Sequence, residues 1–361
     1  MEIPQREYTP ESFRRMLLKS PDSFLDLKAI FLLTSFKTWG GEEPYALQGM
    51  LHHHGFQIRP LGELKELLTT YQEPETGRQI PVKYVAYLDG DKQILTCYTL
   101  ATADQIRRTI EPLSGLIGIY HLWINPLAFD QIKNTILSEH PYTKIPDLSA
   151  DRHPSTDVAA KLRPEYRRSM RYRGDDGRET LEELRHYYGV LPSSIHFRIP
   201  GLVDFRLNNR GIFSYLGGSP EYMFEYADRA VELVLQVRKI LEQSKLEIID
   251  IVTERKRLRV SHVVPFAISF KRTLDIANTE LLIDELERNE FAIYNSAVMQ
   301  GSVYFDGTVL DEVKKSVFTI STDEHRMIVL PRYRTSFDSF LRFYEAIAES
   351  FDPEAKCVAT I

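Results

Sequence analysis

The segment "SPEYMFEYADRAVELVLQVRKILEQ", which begins at Ser219, constrains the fold more than any other part of the chain. Ser219 is a favoured N-cap residue. Pro220 suits the first helical position, because its fixed φ matches a helix and its missing N–H is not needed there. Apolar residues recur at three- and four-residue spacing in the following turns, at Met223, Ala227, Ala230, Val234, Val237 and Leu241. We therefore predict one long helix that packs a single face against a sheet.

Strand patterns surround this helix in the second half of the chain. The segments "SIHFRI", "LVDFRL" and "IFSYL" precede it, and "LEIIDIV" and "LRVSHVVPFAISF" follow it around the polar turn "TERKR". A last helix is indicated by a second apolar stripe, formed by Phe337, Phe340, Tyr344, Ile347 and Phe351. These patterns predict an α+β domain over residues 180–361, in which antiparallel hairpins are backed by long helices.

The first 145 residues have a different order of elements. An apolar strand at 29–36 is followed by a helix in "YALQGMLHHHG" and a short strand in "FQIRPL", which is a β-α-β pattern. A hairpin with its turn at Asp89 and Gly90 comes next. We predict an α/β domain over residues 1–145, so that the whole chain is of mixed α/β and α+β class. Residues 146–179 are rich in proline and polar residues and are predicted to form an exposed basic connector.

The connector contains the most basic stretch of the chain, "KLRPEYRRSMRYRGDDGRE", residues 161–179. Its first part carries six lysine and arginine residues against one acid, on a chain whose net charge is −6. Guanidinium groups bind phosphate oxygens, and tyrosine rings can stack on bases. The residues predicted to contact nucleic acid here are Arg163, Tyr166, Arg167, Arg168, Arg171, Tyr172 and Arg173. Two alternatives stay open: the stretch pairs with acidic protein surface, on this chain or on a second subunit, or it is simply exposed.

A second basic cluster, Arg255, Lys256 and Arg257, falls at the tip of the hairpin predicted within residues 246–270. A hairpin with a cationic tip can enter a groove of a nucleic acid, although turns are commonly polar without binding anything. These three residues complete the predicted nucleic-acid contacts.

An enzymatic function is the main alternative. Asp250, Glu254 and Lys256 are similar to the metal-binding acids and the lysine of nucleases of the restriction-endonuclease type, but Glu254 and Lys256 fall in the turn. The loop "SFKTWGGEEP" between a strand and a helix is typical of nucleotide-binding α/β domains, although Glu42 and Glu43 would repel phosphate. The sequence identifies no catalytic residue, cofactor or metal site. The adjacent histidines of "HHH" would point about 100° apart on a helix, so they could not meet at one ion.

The chain has no apolar run long enough to span a membrane, and its first 20 residues carry charges throughout, so we expect neither a membrane segment nor a secretory signal. Cys97 and Cys357 are too few for a disulfide framework and are expected to be buried, inert thiols. We predict a cytoplasmic nucleic-acid-binding protein that acts as a subunit of a larger assembly or as a homo-oligomer. The alternatives are a nucleotide-processing enzyme or metal-dependent nuclease, and a structural oligomer subunit whose arginines pair with acidic protein surface.

Overall fold

The computed structural model describes residues 7–40, 46–156, 158–252, 257–299, 304–332 and 335–360. Within these ranges the chain is a mixed α+β protein. The helices are α1 (Pro10–Lys19), α2 (Leu47–His53), α3 (Ala103–Thr109), α4 (Pro126–Glu139), α5 (Gly177–Tyr188), α6 (Pro220–Gln243), α7 (Ile276–Arg288) and α8 (Phe337–Ser350). The strands are β1 (Lys28–Thr34), β2 (Gln57–Leu61), β3 (Leu64–Gln72), β4 (Gln79–Asp89), β5 (Ile94–Thr99), β6 (Ile119–His121), β7 (Lys144–Arg152), β8 (Arg168–Arg173), β9 (Leu191–Ile199), β10 (Val203–Asn208), β11 (Ile212–Gly218), β12 (Lys245–Val252), β13 (Arg257–Val264), β14 (Phe266–Ser269), β15 (Phe291–Met299), β16 (Tyr304–Asp311), β17 (Ser316–Thr322), β18 (Arg326–Pro331) and β19 (Lys356–Ala359).

One large sheet contains all the strands from β1 to β11. Its order is β2-β3-β4-β5-β1-β11-β10-β9-β7-β8, and β6 also pairs with β1. The strand predicted at 29–36 is confirmed as β1, which is almost entirely apolar because it lies in the centre of the sheet and is buried on both faces. All the pairings of β1 are antiparallel, and Lys28 lies opposite Ser214 of β11. The β-α-β segment therefore forms no parallel pair, and β2 lies at the far edge of the sheet.

Residues 146–179, predicted to be an exposed connector, contain most of β7 and all of β8. Pro146 is accommodated in β7 at an irregularity of its pairing with β9, where a missing N–H is tolerated. Asp147 and Arg152 of the same strand are buried. The segment thus contributes two strands to the sheet, while residues 161–167 between these strands are exposed. An exposed basic connector over the whole of residues 146–179 stays a prediction. The sheet passes across the predicted limits at 145 and 180, and domains at 1–145 and 180–361 stay a prediction.

The two faces of this sheet have different surroundings. One face packs on the larger hydrophobic core together with α1, α4, α5 and α6, around residues such as Phe205 and Tyr226. The opposite face packs with α2 and α3 on a smaller core that contains Leu51 and Ile106. On this second face, strands β7 to β10 carry polar side chains. Asp147 and His196 are buried, and the arginines beside them stay at least partly exposed. That polar half of the sheet forms the surface described below.

The second large sheet has the order β15-β16-β17-β18-β14-β19. Helix α6 lies between the two sheets, in contact with β10 and β11 of the first and with β14 and β19 of the second. Both predicted apolar stripes are confirmed: the α6 stripe is buried apart from Val237, which is half-buried, and the α8 stripe is buried from Phe337 to Phe351. The two amphipathic helices therefore join the sheets into one packed structure.

A buried lysine also joins the two halves. The Lys314 Nζ donates to the main-chain oxygens of Ser114, Leu116 and Ile119 at 2.7, 2.6 and 2.9 Å. It also lies 3.1 Å from Asp338 Oδ2 at the start of α8, and neither side chain is exposed. One charged group between β16 and β17 thus satisfies two carbonyls of the segment before β6 and the carbonyl of Ile119, the first residue of β6.

The predicted hairpin after α6 is confirmed as β12 and β13, which form a two-stranded sheet of their own. Glu254, Arg255 and Lys256, predicted for its tip, lie outside the described residues. Cys97 and Cys357 are buried free thiols, as predicted. Among the helices of the described ranges, none combines the length and apolar composition needed to cross a membrane.

Candidate nucleic-acid surface and adjoining cleft

Alternation along β8 places its arginines on the solvent side of the first sheet. In "RSMRYR", Met170 and Tyr172 pack against the core, and Arg171 and Arg173 are exposed. The pairing of β8 with β7 sets Arg173 opposite Asp147. The strand period of two thus turns Arg171 and Arg173 outward, and Arg168 and Tyr172 inward.

Three arginines converge on Asp147. The Arg173 Nε donates to Asp147 Oδ2 at 2.9 Å, the Arg171 Nη2 donates to the same oxygen at 3.1 Å, and the Arg206 Nη2 donates to Oδ1 at 3.1 Å. Burial of the carboxyl opposes ionisation, but hydrogen bonds from Arg173 and Arg171 and the charge of Arg206 outweigh it and lower the pKa of Asp147. Arg171 and Arg173 keep 53% and 70% of their side-chain surface exposed. The cluster therefore holds three cations around one carboxylate at the surface.

A second cluster adjoins the first on strands β9 and β10. The Arg198 Nε donates to Asp204 Oδ2 at 2.9 Å, and His196 contacts the other oxygen of the same carboxylate. His196 also lies opposite both Asp147 and Arg206 in the sheet, which makes the two clusters continuous. We call this surface the arginine face, and it consists of Asp147, Arg171, Arg173, Arg198, Asp204 and Arg206.

Two of the predicted contacts serve the fold instead. The Arg168 guanidinium lies 4.8 Å from the centre of the Tyr188 ring and donates to the main-chain oxygen of Leu162. Tyr172 donates its hydroxyl to Asp176 and packs against the core. Both side chains point away from the arginine face, because they occupy the inward positions of β8.

Of the remaining predicted contacts, two lie at the surface before β8. Arg163 and Tyr166 are exposed in the segment before β8, and 58% of the Tyr166 surface is accessible. Arg255 and Lys256 lie outside the described residues, and Arg257 is the first residue of β13. Among the described members of the predicted set, the structure brings together only Arg171 and Arg173, and joins them to Arg198 and Arg206.

A cleft of about 880 Å³ lies at one end of the arginine face. It is lined by the end of β7, the start of β9 and the β10–β11 turn on one side, and by α3 and the last turns of α7 and α8 on the other. Asp151 of β7 and Ser194 of β9 line the cleft and continue the strands that carry Asp147 and His196. At ~3.3 Å per residue, Asp151 lies roughly 13 Å along β7 from Asp147. A polymer on the arginine face would therefore reach the cleft.

Arginine side chains also line the cleft. Arg210, in the β10–β11 turn, pairs with Glu111 at 3.1 Å and keeps 56% of its side chain exposed. Arg167 is exposed beside the cleft and makes no hydrogen bond or ion pair with any described residue. Arg288 pairs with the buried Glu285 of the cleft floor. Anionic ligands thus meet cations on more than one side.

Glu349 faces the cleft from the last turn of α8. Its Oε1 accepts hydrogen bonds from the Trp123 Nε1 at 2.9 Å and the Asn209 Nδ2 at 3.0 Å. Glu349 is exposed to the cleft, although many protein atoms lie close around its carboxyl group. This loss of hydration, with repulsion from the neighbouring Glu345, raises the pKa of Glu349 to about 8. The pKa of Glu349 is therefore raised toward the neutral range.

The pKa of Glu345, one helical turn earlier, is shifted in the opposite direction. Burial disfavours its charge, but the Tyr120 hydroxyl donates to Oε2 at 2.5 Å and His121 lies 3.2 Å from Oε1, so that the pKa of Glu345 is lowered. The pKa values of two carboxyl groups on one face of α8 are therefore shifted in opposite directions, an arrangement that is common where proteins transfer protons.

A buried acid also supports the cleft floor. The Glu285 side chain, on α7, accepts from the Ser155 hydroxyl at 2.7 Å and lies 3.2 Å from the His153 Nε2. Burial, together with the charges of Arg167 and Arg288, lowers the pKa of His153. Because His153 and Ser155 follow β7, these contacts fix the first sheet against α7 beneath the cleft.

Sequence reasoning missed most of this site. Arg198 and Arg206 stand alone in "HFRI" and "DFRL", where alternation with buried apolar residues was the available signal for an exposed face. The cleft residues Asp151, Arg210 and Glu349 come from distant segments, and no local pattern connects them.

Comparisons with known proteins give two matches. The chain is 25% identical over 350 residues to an uncharacterized protein of Archaeoglobus fulgidus, and the alignment covers 94% of this chain and 92% of that relative. A family model described as a family middle domain (AF_0896_M) matches residues 129–210. The matched segment runs from α4 to the β10–β11 turn and contains the whole arginine face.

Proposed function

We propose that the protein binds nucleic acid along the arginine face. The observation that carries the proposal is the convergence of Arg171, Arg173 and Arg206 on the single carboxylate of Asp147. That carboxylate offsets one of three positive charges, so the exposed cluster keeps an excess of positive charge on a chain whose net charge is −6. An excess of this kind supports binding to phosphates, which releases their condensed counterions.

Asp147 also orders the cluster before a ligand binds. Each guanidinium group is already held by a hydrogen bond, so less side-chain entropy is lost when a phosphate arrives. Arg171 and Arg173 point to solvent with their remaining N–H groups unoccupied by the described residues. Phosphate oxygens can approach these groups while the contact with Asp147 persists.

A structural role is the competing proposal, and the contacts of the same acids favour it. Asp147 and Asp204 already supply carboxylate partners within the chain, as the pairing alternative requires. The two proposals differ in what the excess positive charge does: it binds a polyanion in the first and stabilises the fold or an assembly in the second. A purely structural cluster would affect stability or assembly when its arginines are removed, and would leave binding to polyanions unchanged.

The test compares the Arg171→Ala/Arg173→Ala variant with wild type in a fluorescence anisotropy titration of labelled single-stranded and duplex DNA and RNA over a salt series. We expect weaker binding and a smaller salt dependence, with the slope of log K against log salt reduced by up to about 1.8 for a duplex or about 1.4 for a single strand if both phosphate contacts are lost. The fold should persist, because Asp147 keeps Arg206 as a partner. Exposed ion pairs of this kind contribute about 1 kcal/mol or less each.

The matched control is Arg59→Ala/Arg78→Ala, which removes the same charge from two exposed positions. Arg59 lies in β2, at the opposite edge of the sheet, and Arg78 lies in the turn between β3 and β4. We expect this control to bind as wild type does. Equal binding by the Arg171/Arg173 variant and wild type to every nucleic acid tested would exclude the proposal. A changed elution volume in size-exclusion chromatography with unchanged binding would instead establish the structural role.

A further inference from the structure

Two carboxyl groups from different elements line the cleft. Glu349 comes from α8 and Asp151 from the end of β7, and both line the same 880 Å³ space. They are close enough for the charge of Asp151 to act on Glu349. The pair therefore lies where a polymer that leaves the arginine face would arrive.

Each of these groups has one oxygen held and one oxygen free. Glu349 Oε1 accepts from Trp123 and Asn209, and Asp151 Oδ2 accepts from the Ser193 hydroxyl at 2.6 Å. Glu349 Oε2 and Asp151 Oδ1 make no hydrogen bond with any described residue. The held oxygens fix the orientation of both groups, and the free oxygens remain for a ligand.

The surroundings of Glu349 favour its protonated form. Loss of hydration is the largest cause of its raised pKa, the negative charges of Glu345 on α8 and Asp151 on β7 add to it, and Arg210 from the β10–β11 turn and the Trp123 hydrogen bond act in the opposite direction. A proton on Glu349 Oε2 can be donated, because Oε1 is occupied as an acceptor.

Cations stand beside this pair. Arg210 and the unpartnered Arg167 line the cleft with exposed guanidinium groups, in reach of a phosphate that enters it. A phosphodiester held by these arginines would gain negative charge during cleavage, which cations stabilise.

We propose that the cleft cleaves RNA, with Asp151 as the general base and Glu349 as the general acid. Asp151 Oδ1 takes the proton of a ribose 2′-hydroxyl, and the 2′-oxygen forms a bond to the adjacent phosphorus. The bond from phosphorus to the 5′-oxygen of the next nucleotide breaks, and Glu349 gives its proton to that oxygen. The products are a 2′,3′-cyclic phosphate and a 5′-hydroxyl end, and proton exchange with water restores both carboxyl groups. This inference rests on the proposed binding of nucleic acid at the arginine face.

The experiment incubates the full chain with a 5′-labelled RNA oligonucleotide and follows both the cleavage rate and the end groups. We expect a 2′,3′-cyclic phosphate product, and no cleavage at a position with a 2′-deoxyribose. Glu349→Gln and Asp151→Asn should each lower kcat by about 10²–10⁴-fold, because each removes one proton transfer. Both substitutions keep the held oxygen as an acceptor, so the affinity for RNA should stay within about twofold of wild type.

The controls exclude a contaminating nuclease and a folding defect. Glu324→Gln, at an exposed turn remote from the cleft, is purified in the same way and should cleave as wild type does. The wild-type rate should fall as the pH rises through the pKa of Glu349, since the acid must carry a proton. Absence of wild-type cleavage, full activity of Glu349→Gln, or cleavage of the deoxy-substituted position would each overturn the proposal. Anisotropy titration of the same samples reports binding separately, so a catalytic failure is distinct from a failure of the arginine face.

Discussion

Replacement of Lys314 by methionine tests a buried polar contact between the two halves of the structure. The substitution keeps most of the side-chain length and removes the charge and the donors. Asp338 then stays buried without its cation, with the Gly118 N–H as a remaining donor at 2.9 Å. The carbonyls of Ser114, Leu116 and Ile119 lose the Nζ that serves all three of them.

The expected cost follows from these contacts. Removal of one partner of a buried ion pair costs about 3–5 kcal/mol, because the other charge stays in a medium of low polarity. A carbonyl left without a donor adds about 1–3 kcal/mol where water cannot replace the lysine. Burial also lowers the pKa of Lys314, because the charged lysine loses its hydration in the folded protein. Methionine does not lose hydration in this way, which offsets part of the cost. We therefore expect a loss of about 3–5 kcal/mol in the free energy of unfolding.

Urea unfolding followed by circular dichroism and tryptophan fluorescence measures this loss at neutral pH. Lys315→Met is the matched control, since Lys315 is the exposed neighbour and should change stability by less than about 0.5 kcal/mol. The Lys314→Met/Asp338→Asn variant completes a double-mutant cycle and should be more stable than the sum of the single losses predicts. A loss below about 1 kcal/mol for Lys314→Met, or strict additivity in the cycle, would refute the reasoning.

Three further outcomes are expected. Asp147→Asn should raise the affinity for nucleic acid and lower the midpoint of thermal unfolding, because three guanidinium groups then repel one another without a carboxylate between them. Anisotropy titration measures the affinity, and melting curves measure the midpoint. An unchanged affinity would count against the arginine face. Glu349→Gln should reduce the pH dependence of stability. The raised pKa means that the folded protein keeps on Glu349 a proton that the unfolded chain releases above about pH 4.5, so the stability of wild type should fall relative to that of the variant between pH 5 and pH 8. Urea titrations at several pH values measure this difference, and parallel curves would contradict the raised pKa. Gly177→Ala should destabilise the fold by about 1–3 kcal/mol, because a Cβ there would lie 1.9 Å from the Ile145 carbonyl oxygen, whereas Gly115→Ala has open space and should have little effect in the same thermal assay.

Helices α6 and α8 were predictable because their information is local. Met223 and Leu241 fall on one stripe whose period matches a helix, and such a stripe has no other stable arrangement than burial against a neighbour. The same holds for the hairpin turn at Asp89 and Gly90, where β4 ends and β5 follows within a few residues. Tertiary contacts did not have to be known for these elements.

Strands β7 and β8 could not be placed in the same way, since their pairing partners decide their conformation. Pro146 suggested irregular structure, but a bulge accommodates it inside β7. The alternation of Met170 and Tyr172 with arginines was a strand signal that the high charge of the stretch concealed. The exposed face of an edge strand tolerates charge, so basic composition alone does not indicate a connector.

The candidate site was even less predictable from local sequence than these two strands. The arginine face depends on the register that puts Arg173 opposite Asp147 and Arg206 opposite His196. Register follows from the complete sheet, and a shift by one residue would turn these side chains inward. The protonation of Glu349 depends in turn on groups from three other segments.

The central position of β1 has a consequence for the order in which the chain can fold during synthesis. β5 can cover one edge of β1 early, and β6 can cover the end of the other edge at Leu32–Thr34. The start of that edge waits for β11, since Lys28 pairs with Ser214. At ~5–20 residues per second the ribosome needs roughly 10–40 s to bridge that distance. During this interval the nascent chain presents an unpaired apolar strand edge, the kind of surface that chaperones bind. The N-terminal half is thus made first and completed late, and its folding rate is governed by a contact between distant residues.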